Sequence, residues 1–129
     1  MISAMTHESA LSVLVVDDEP LIRSALRDML EDEGIAVLGE AADGNEAVAL
    51  ARELTPDVIL MDLRMPGMGG IEAIRTIRAE RPASRVIVLS AYDDPSLSDG
   101  AAQAGAVGYL VKGCPPAEIF DAIHHAAER

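Results

Sequence analysis

The sequence alternates between short apolar runs and longer stretches of helical periodicity, and this alternation constrains the fold more than any other feature. The apolar runs are rich in valine, isoleucine and leucine and fall at 11–16, 35–41, 58–61, 85–90 and 108–112. Short apolar runs bounded by turn residues are typical of strands that are buried on both faces. Strands that alternate with helices favour a parallel sheet with right-handed crossovers. The sequence therefore predicts a single doubly wound α/β domain.

Start and stop signals for helices lie between these runs. Pro20 suits a first helical position, because the N–H that proline lacks is not needed there. Asp43 and Glu46 have the spacing of a capping box. The helix over 95–104 is predicted from its position alone, because its serines and Gly100 are poor helix formers. We expect it to be the least stable helix of the domain.

Charge and composition exclude several classes of protein. The 129 residues carry a formal net charge of −12, which disfavours binding to the phosphate backbone of nucleic acids. No apolar run approaches the roughly 18 to 20 residues that a membrane span needs. Residues 1–10 lack the features of a signal peptide, so we expect a flexible leader and a cytoplasmic protein. The single cysteine, Cys114, excludes an intramolecular disulfide.

Polar residues end four of the five apolar runs: Asp17 and Asp18, Asp62, Ser90, and Lys112. Each alone could be a helix cap, a turn residue or a solvated strand end. Because the carboxyl ends of parallel strands share one edge of a sheet, these side chains should meet there. Three close carboxylates repel unless a cation holds them, and Mg²⁺ prefers such hard oxygen ligands. A carboxylate can also attack phosphorus. The pattern favours Mg²⁺-dependent phosphoryl transfer.

This set of residues, with Met65-Pro66-Gly67 after Asp62, resembles the receiver domain of two-component response regulators. The resemblance runs from about Leu11 to Ala127. It implies a flavodoxin-like sheet of five parallel strands in the order 2-1-3-4-5, with five helices. It also implies that Asp62 accepts a phosphoryl group from a phosphohistidine on a sensor histidine kinase.

The resemblance assigns a role to each of the other converging residues. Asp18, Asp62 and the backbone carbonyl of Arg64 would bind Mg²⁺, and Asp17 would act largely through water. Ser90 and Lys112 would contact the phosphoryl group. Tyr109 would be the aromatic switch, whose ring turns inward when Ser90 moves. In chain order, the residues to which the resemblance assigns these roles are Asp17, Asp18, Asp62, Arg64, Ser90, Tyr109 and Lys112.

Three segments are similar to the NarL/LuxR-type regulators, which carry a C-terminal helix-turn-helix. They are 90–94, 104–106 and 108–113. We expect 11–129 to be the receiver of a transcription regulator, with DNA contacted only through an additional C-terminal domain. Phosphorylation would change the fourth helix, fifth strand and fifth helix and could create a homodimer. A stand-alone receiver is the alternative.

Two residues depart from a generic receiver. Arg64 lies two positions after Asp62, and Tyr92 lies two positions after Ser90. Both flank the path of an attacking water, so we predict that they tune the lifetime of the phosphorylated state. Arg64 also argues against an aspartyl phosphatase, in which a second aspartate usually stands at that position. We therefore expect no enzymatic activity other than the chain's own phosphorylation and dephosphorylation. A binding module that never accepts phosphate is the second alternative.

Overall fold

The structure is a computed structural model that describes residues 11–64 and 69–128. Strands and helices alternate along these residues, in agreement with the prediction. In chain order they are β1 (Ser12–Val16), α1 (Pro20–Asp32), β2 (Ala36–Ala41), α2 (Gly44–Leu54), β3 (Val58–Met61), α3 (Gly70–Glu80), β4 (Arg85–Ser90), α4 (Pro95–Ala104), β5 (Gly108–Val111) and α5 (Pro116–Ala127). The predicted leader at 1–10 and the Met65-Pro66-Gly67 motif lie outside the described residues. Among the helices described, none has the length and apolar character to cross a membrane.

All five strands are parallel and form one sheet in the order β2-β1-β3-β4-β5. The predicted strand order is therefore confirmed. Because every strand runs the same way, the carboxyl ends of β1, β3, β4 and β5 lie along one edge. Val16 pairs with Met61, and Met61 pairs with Val88, so the residues that follow β1 and β3 emerge side by side.

Helices cover both faces of the sheet, and each face has its own apolar core. Alternate residues of a strand point to opposite faces. In β1, Leu14 and Val16 pack with α2, α3 and α4, whereas Val13 and Val15 pack with α1 and α5. All four residues of β3 are buried. The apolar runs of β1, β3 and β4 thus correspond to strands that are buried on both faces, whereas Leu38 of β2 is exposed and β5 is only partly buried.

The N-cap of α2 was predicted from the sequence, whereas the N-cap of α4 was not. Asp43 accepts a 2.8 Å hydrogen bond from the backbone N–H of Glu46, as a capping box requires. The Glu46 carboxylate accepts from the N–H of Ala42 rather than from that of Asp43. Asp94 caps α4 by accepting from the N–H of Ser96 at 2.9 Å. Asp94 is therefore a helix start signal, although the sequence predicted α4 from its position alone.

Candidate functional site

Asp62 immediately follows β3 at the carboxyl edge of the sheet. Its backbone N–H continues the ladder by donating to the carbonyl of Val16 at 3.0 Å. Its carboxylate is buried, and Oδ1 accepts a 3.2 Å hydrogen bond from the N–H of Arg64. The strand that ends here therefore holds a carboxylate in a fixed orientation with little contact with solvent.

Lys112 joins the carboxylates that follow β1 and β3. Its Nζ lies 2.7 Å from Oδ2 of Asp17 and 3.2 Å from Oδ2 of Asp62. The backbone N–H of Lys112 donates to the carbonyl of Ser90 at 2.6 Å, which fixes the lysine at the end of β5. The prediction that these three side chains meet is confirmed by this geometry.

The acidic cluster carries more negative charge than Lys112 can balance. One ligand oxygen from each of Asp17, Asp18 and Asp62 lies within 4.8 Å of the others. Asp17 and Asp62 are buried, whereas Asp18 is exposed to solvent. Three carboxylates against one ammonium leave an excess of negative charge, and oxygen donors in this number suit a hard divalent cation. The residues present fit Mg²⁺, and the carbonyl of Arg64 stays a predicted ligand.

The Asp62 carboxyl and the Lys112 ammonium both have shifted pKa values. Burial raises the pKa of the Asp62 carboxyl; the N–H of Arg64 and the charge of Lys112 oppose that shift, and the charge of Asp17 adds to it. Burial alone would lower the pKa of Lys112, but its bonds to Asp17 and Asp62 outweigh burial and raise it. Lys112 therefore stays protonated, and nearby positive charge favours the ionised, nucleophilic form of Asp62.

Tyr92 connects three of the predicted functional residues. Its backbone N–H donates to Oγ of the fully buried Ser90 at 3.1 Å. Its carbonyl accepts a 2.6 Å hydrogen bond from the Tyr109 hydroxyl. The Arg64 guanidinium lies over its ring, with Cζ 4.3 Å from the ring centroid. The sequence singled out Tyr92 for its side chain, but its backbone is what links Ser90 to Tyr109.

Arg23 is a residue near the site that the sequence reading missed. It lies on α1, and its Nη1 donates to the backbone carbonyl of Asp17 at 2.7 Å. Its Nε donates to Glu40 on β2 at 3.2 Å. An arginine one turn into an amphipathic helix gives no local signal of this role, because its partners come from two other elements.

Comparison with known proteins agrees with this arrangement. The response regulator receiver domain family matches residues 13–124. The response regulator GacA of Pseudomonas aeruginosa is 44% identical over 114 residues, which cover 88% of this chain and 53% of GacA. The chain spans about half the length of the curated relatives it matches.

Solved structures place the chain further within the family. The signal receiver domain of NarL from Mycobacterium tuberculosis is 38% identical with a TM-score of 0.87, covering 92% of this chain and 97% of that one. A LuxR-family response regulator from Aurantimonas sp. SI85-9A1 is 41% identical with a TM-score of 0.88, covering 93% and 86%. The chain therefore belongs to the response regulator receiver domains of two-component systems, in their NarL/LuxR-type subgroup.

Proposed function

We propose that this receiver is a phosphorylation-dependent switch in the cytoplasm, in which Asp62 accepts a phosphoryl group from a sensor histidine kinase. The observation that carries the proposal is the position of the Asp62 carboxylate. It is buried, 3.2 Å from the ammonium of Lys112, and within 4.8 Å of two further carboxylates. That arrangement supplies a nucleophile, a fixed positive charge and the ligands of a metal site.

The transfer needs little beyond placement and charge neutralisation. A carboxylate oxygen of Asp62 forms a bond to phosphorus as the P–N bond to the donor imidazole breaks, and the bonding electrons leave with the imidazole nitrogen. Lys112 stabilises the negative charge on the phosphoryl oxygens. Asp18, Asp62 and the carbonyl of Arg64 would hold Mg²⁺, with Asp17 acting largely through water, and the bound ion would neutralise further charge.

The signal leaves the site through Ser90 and Tyr92. When the Ser90 hydroxyl turns to donate to a phosphoryl oxygen, its contact with the N–H of Tyr92 is lost. The Tyr92 carbonyl accepts from the Tyr109 hydroxyl, so a shift of the backbone at Tyr92 that breaks this second bond frees Tyr109 to turn inward. Moving a two-state equilibrium from rare to dominant takes roughly 5 kcal/mol, and the new phosphoryl contacts of Ser90 and Lys112 are its source.

The output of the switch is a change in α4, β5 and α5. In the parent protein this change controls a homodimer or a C-terminal DNA-binding domain and thereby transcription. The subgroup supports this proposal, because its members include LuxR-family regulators. A stand-alone receiver with a protein target is the alternative.

Arg64 and Tyr92 tune the lifetime of the phosphorylated state as a pair rather than singly. Their side chains are in contact, with the guanidinium over the ring. Removing either side chain, as in Arg64→Ala or Tyr92→Ala, therefore changes the half-life of the phosphorylated protein in the same direction. Opposite changes would mean that each acts alone.

Incubation with acetyl phosphate and Mg²⁺, followed by Phos-tag electrophoresis, tests the proposed function. We expect a retarded band for the native chain and none for Asp62→Asn. Asp99→Asn is the matched control, because Asp99 is an exposed aspartate on α4 outside the acidic cluster. It should be retarded like the native chain. Absence of a retarded band in the native chain would favour a binding module that does not accept phosphate.

A further inference from the structure

We propose that Arg23, held in place by Glu40, is a positioning residue that orients the Asp17–Asp18 peptide and thereby sets the affinity of the acidic cluster for Mg²⁺. The inference rests on the proposed function, because it concerns the metal that phosphoryl transfer uses. It assigns a role to a pair of side chains on α1 and β2 that do not themselves touch the phosphoacceptor.

The contact of Arg23 with the loop is made to the backbone. Its Nη1 donates to the carbonyl oxygen of Asp17 at 2.7 Å. That carbonyl belongs to the planar peptide that joins Asp17 to Asp18, so its direction sets the direction in which Asp18 leaves the strand. Asp17 has further support, because its carboxylate accepts from the N–H of Glu19 and from Lys112. Asp18 is exposed and depends on its backbone for its direction.

Glu40 fixes the guanidinium that makes this contact. Its two carboxylate oxygens accept from Nε of Arg23 at 3.2 Å and from Nε of Arg27 at 2.7 Å. Arg23 thus uses two donors of one planar group, one for the carboxylate on β2 and one for the loop. Only 17% of the Arg23 side chain is exposed. A lysine has a single ammonium at the end of a flexible stem and cannot reproduce this fork.

The charges of this network cancel, which matters so close to a cation site. Arg23 and Arg27 are balanced by Glu40 and by Glu31, which accepts from Arg27 at 3.2 Å. The hydrogen bond from Arg27 lowers the pKa of the Glu40 carboxyl, so it stays ionised near neutral pH. Arg23 can therefore donate to the loop without adding net positive charge beside the metal.

A pair of matched variants separates orientation from charge. Arg23→Gln and Arg27→Gln each remove one positive charge and one bond to Glu40, but only Arg23 contacts the loop. Mg²⁺ affinity is measured by following backbone amide shifts of the ¹⁵N-labelled chain during titration. We expect Arg23→Gln to bind on the order of tenfold more weakly. Arg27→Gln should stay within about twofold of the native chain.

The direction of the change is decisive, because losing a nearby positive charge by itself tightens the binding of a cation. Equal or tighter binding by Arg23→Gln, or equal weakening by both variants, would overturn the proposal. Arg23→Lys keeps the charge and loses the fork, so it should bind as weakly as Arg23→Gln. Native affinity in Arg23→Lys would show that the two-donor geometry of the guanidinium is not what sets the affinity, and would overturn the proposal.

Two further measurements keep the outcome interpretable. The double variant Glu40→Gln, Arg27→Gln releases Arg23 from Glu40 with no change in net charge. It should also weaken Mg²⁺ binding, and it carries the test if Arg23→Gln does not fold. If the Asp18 amide shift of the native chain does not change on titration with Mg²⁺, both this inference and the metal site of the proposed function are overturned. Native binding with unchanged variants would overturn the role of Arg23 alone.

Discussion

Two neighbouring helices on the same face of the sheet, α3 and α4, differ sharply in what anchors them. They are similar in length, with 11 and 10 residues. α3 buries Ile74 and Ile77 in the core, whereas the only fully covered residues of α4 are Ala101 and Ala104. A buried isoleucine contributes far more apolar surface than a buried alanine. The same face of the sheet therefore carries one firmly held helix and one lightly held helix.

The weaker packing of α4 gives low local stability to a helix that a switch can move. Segments that open most readily are those with few buried apolar contacts, and moving elements are drawn from them. α4 follows directly after the loop in which Tyr92 links Ser90 to Tyr109. α3 faces the same core but makes no such link. We infer that a change at the site moves the loosely packed α4 while the well-packed α3 stays in place.

The largest expected effect compares one truncation in each helix. Ile74→Ala removes a fully buried side chain of α3 and should cost about 2 to 5 kcal/mol of unfolding free energy. Leu97→Ala removes a partly exposed side chain of α4 and should cost about 1 kcal/mol. Urea denaturation of both variants measures the two costs. Equal losses would remove the distinction between the helices.

A second pair of substitutions adds the same methyl group to each helix. A Cβ at Gly70 would lie 2.6 Å from the Cα of Leu63, so Gly70→Ala should destabilise by roughly 1 to 3 kcal/mol. Among the described residues, a Cβ at Gly100 would meet only Cδ1 of Ile71, at 3.8 Å. Gly100→Ala should therefore stabilise by about 0.5 to 1 kcal/mol through helix propensity. Thermal unfolding gives both signs, and a loss in Gly100→Ala would indicate that α4 is tightly packed.

The site at the carboxyl edge of the sheet should be destabilised by the buried charge of Asp62. Because burial raises the pKa of Asp62, its ionised form is less favourable in the folded chain than in the unfolded chain. Its contribution to stability is full below the ordinary pKa of 3.8 and is lost as pH rises through the raised value. Without added metal, Asp62→Asn should therefore be more stable at pH 7, on the order of 1 kcal/mol.

Denaturation measured from pH 3 to pH 8 tests that prediction. The advantage of Asp62→Asn should shrink as pH falls and should disappear near the ordinary pKa of an aspartate. Saturating Mg²⁺ should reduce the advantage at pH 7, because the metal stabilises the native chain by mass action. A variant that is less stable than the native chain at pH 7 would mean that the bond to Lys112 outweighs burial.

The smallest expected effect concerns the hydroxyl that ties β5 to the loop before α4. Tyr109→Phe loses the 2.6 Å hydrogen bond to the Tyr92 carbonyl, at a site exposed to solvent. The cost in unfolding free energy should be below about 1 kcal/mol. Amide exchange should rise at 92–104 and stay unchanged at 70–80. Faster exchange in α3 as well would show that the two helices are coupled.

Residues that act within one strand or at its end were predictable from sequence, and residues that act through distant partners were not. Asp17, Asp62 and Lys112 could be placed together because a parallel sheet aligns its carboxyl ends. Arg23 could not, because its role depends on Glu40 and on a backbone carbonyl. The link through Tyr92 was also out of reach, because backbone hydrogen bonds carry no signature of residue type.

The central claim is that a phosphoryl group on Asp62 orders the loosely held α4 while α3 stays as it is. Hydrogen exchange of the native chain with and without Mg²⁺ and beryllofluoride, a phosphoryl mimic, tests it most directly. We predict that protection rises across 95–104, stays constant across 70–80, and does not change in Asp62→Asn. Equal protection of 95–104 in the two states of the native chain would contradict the account.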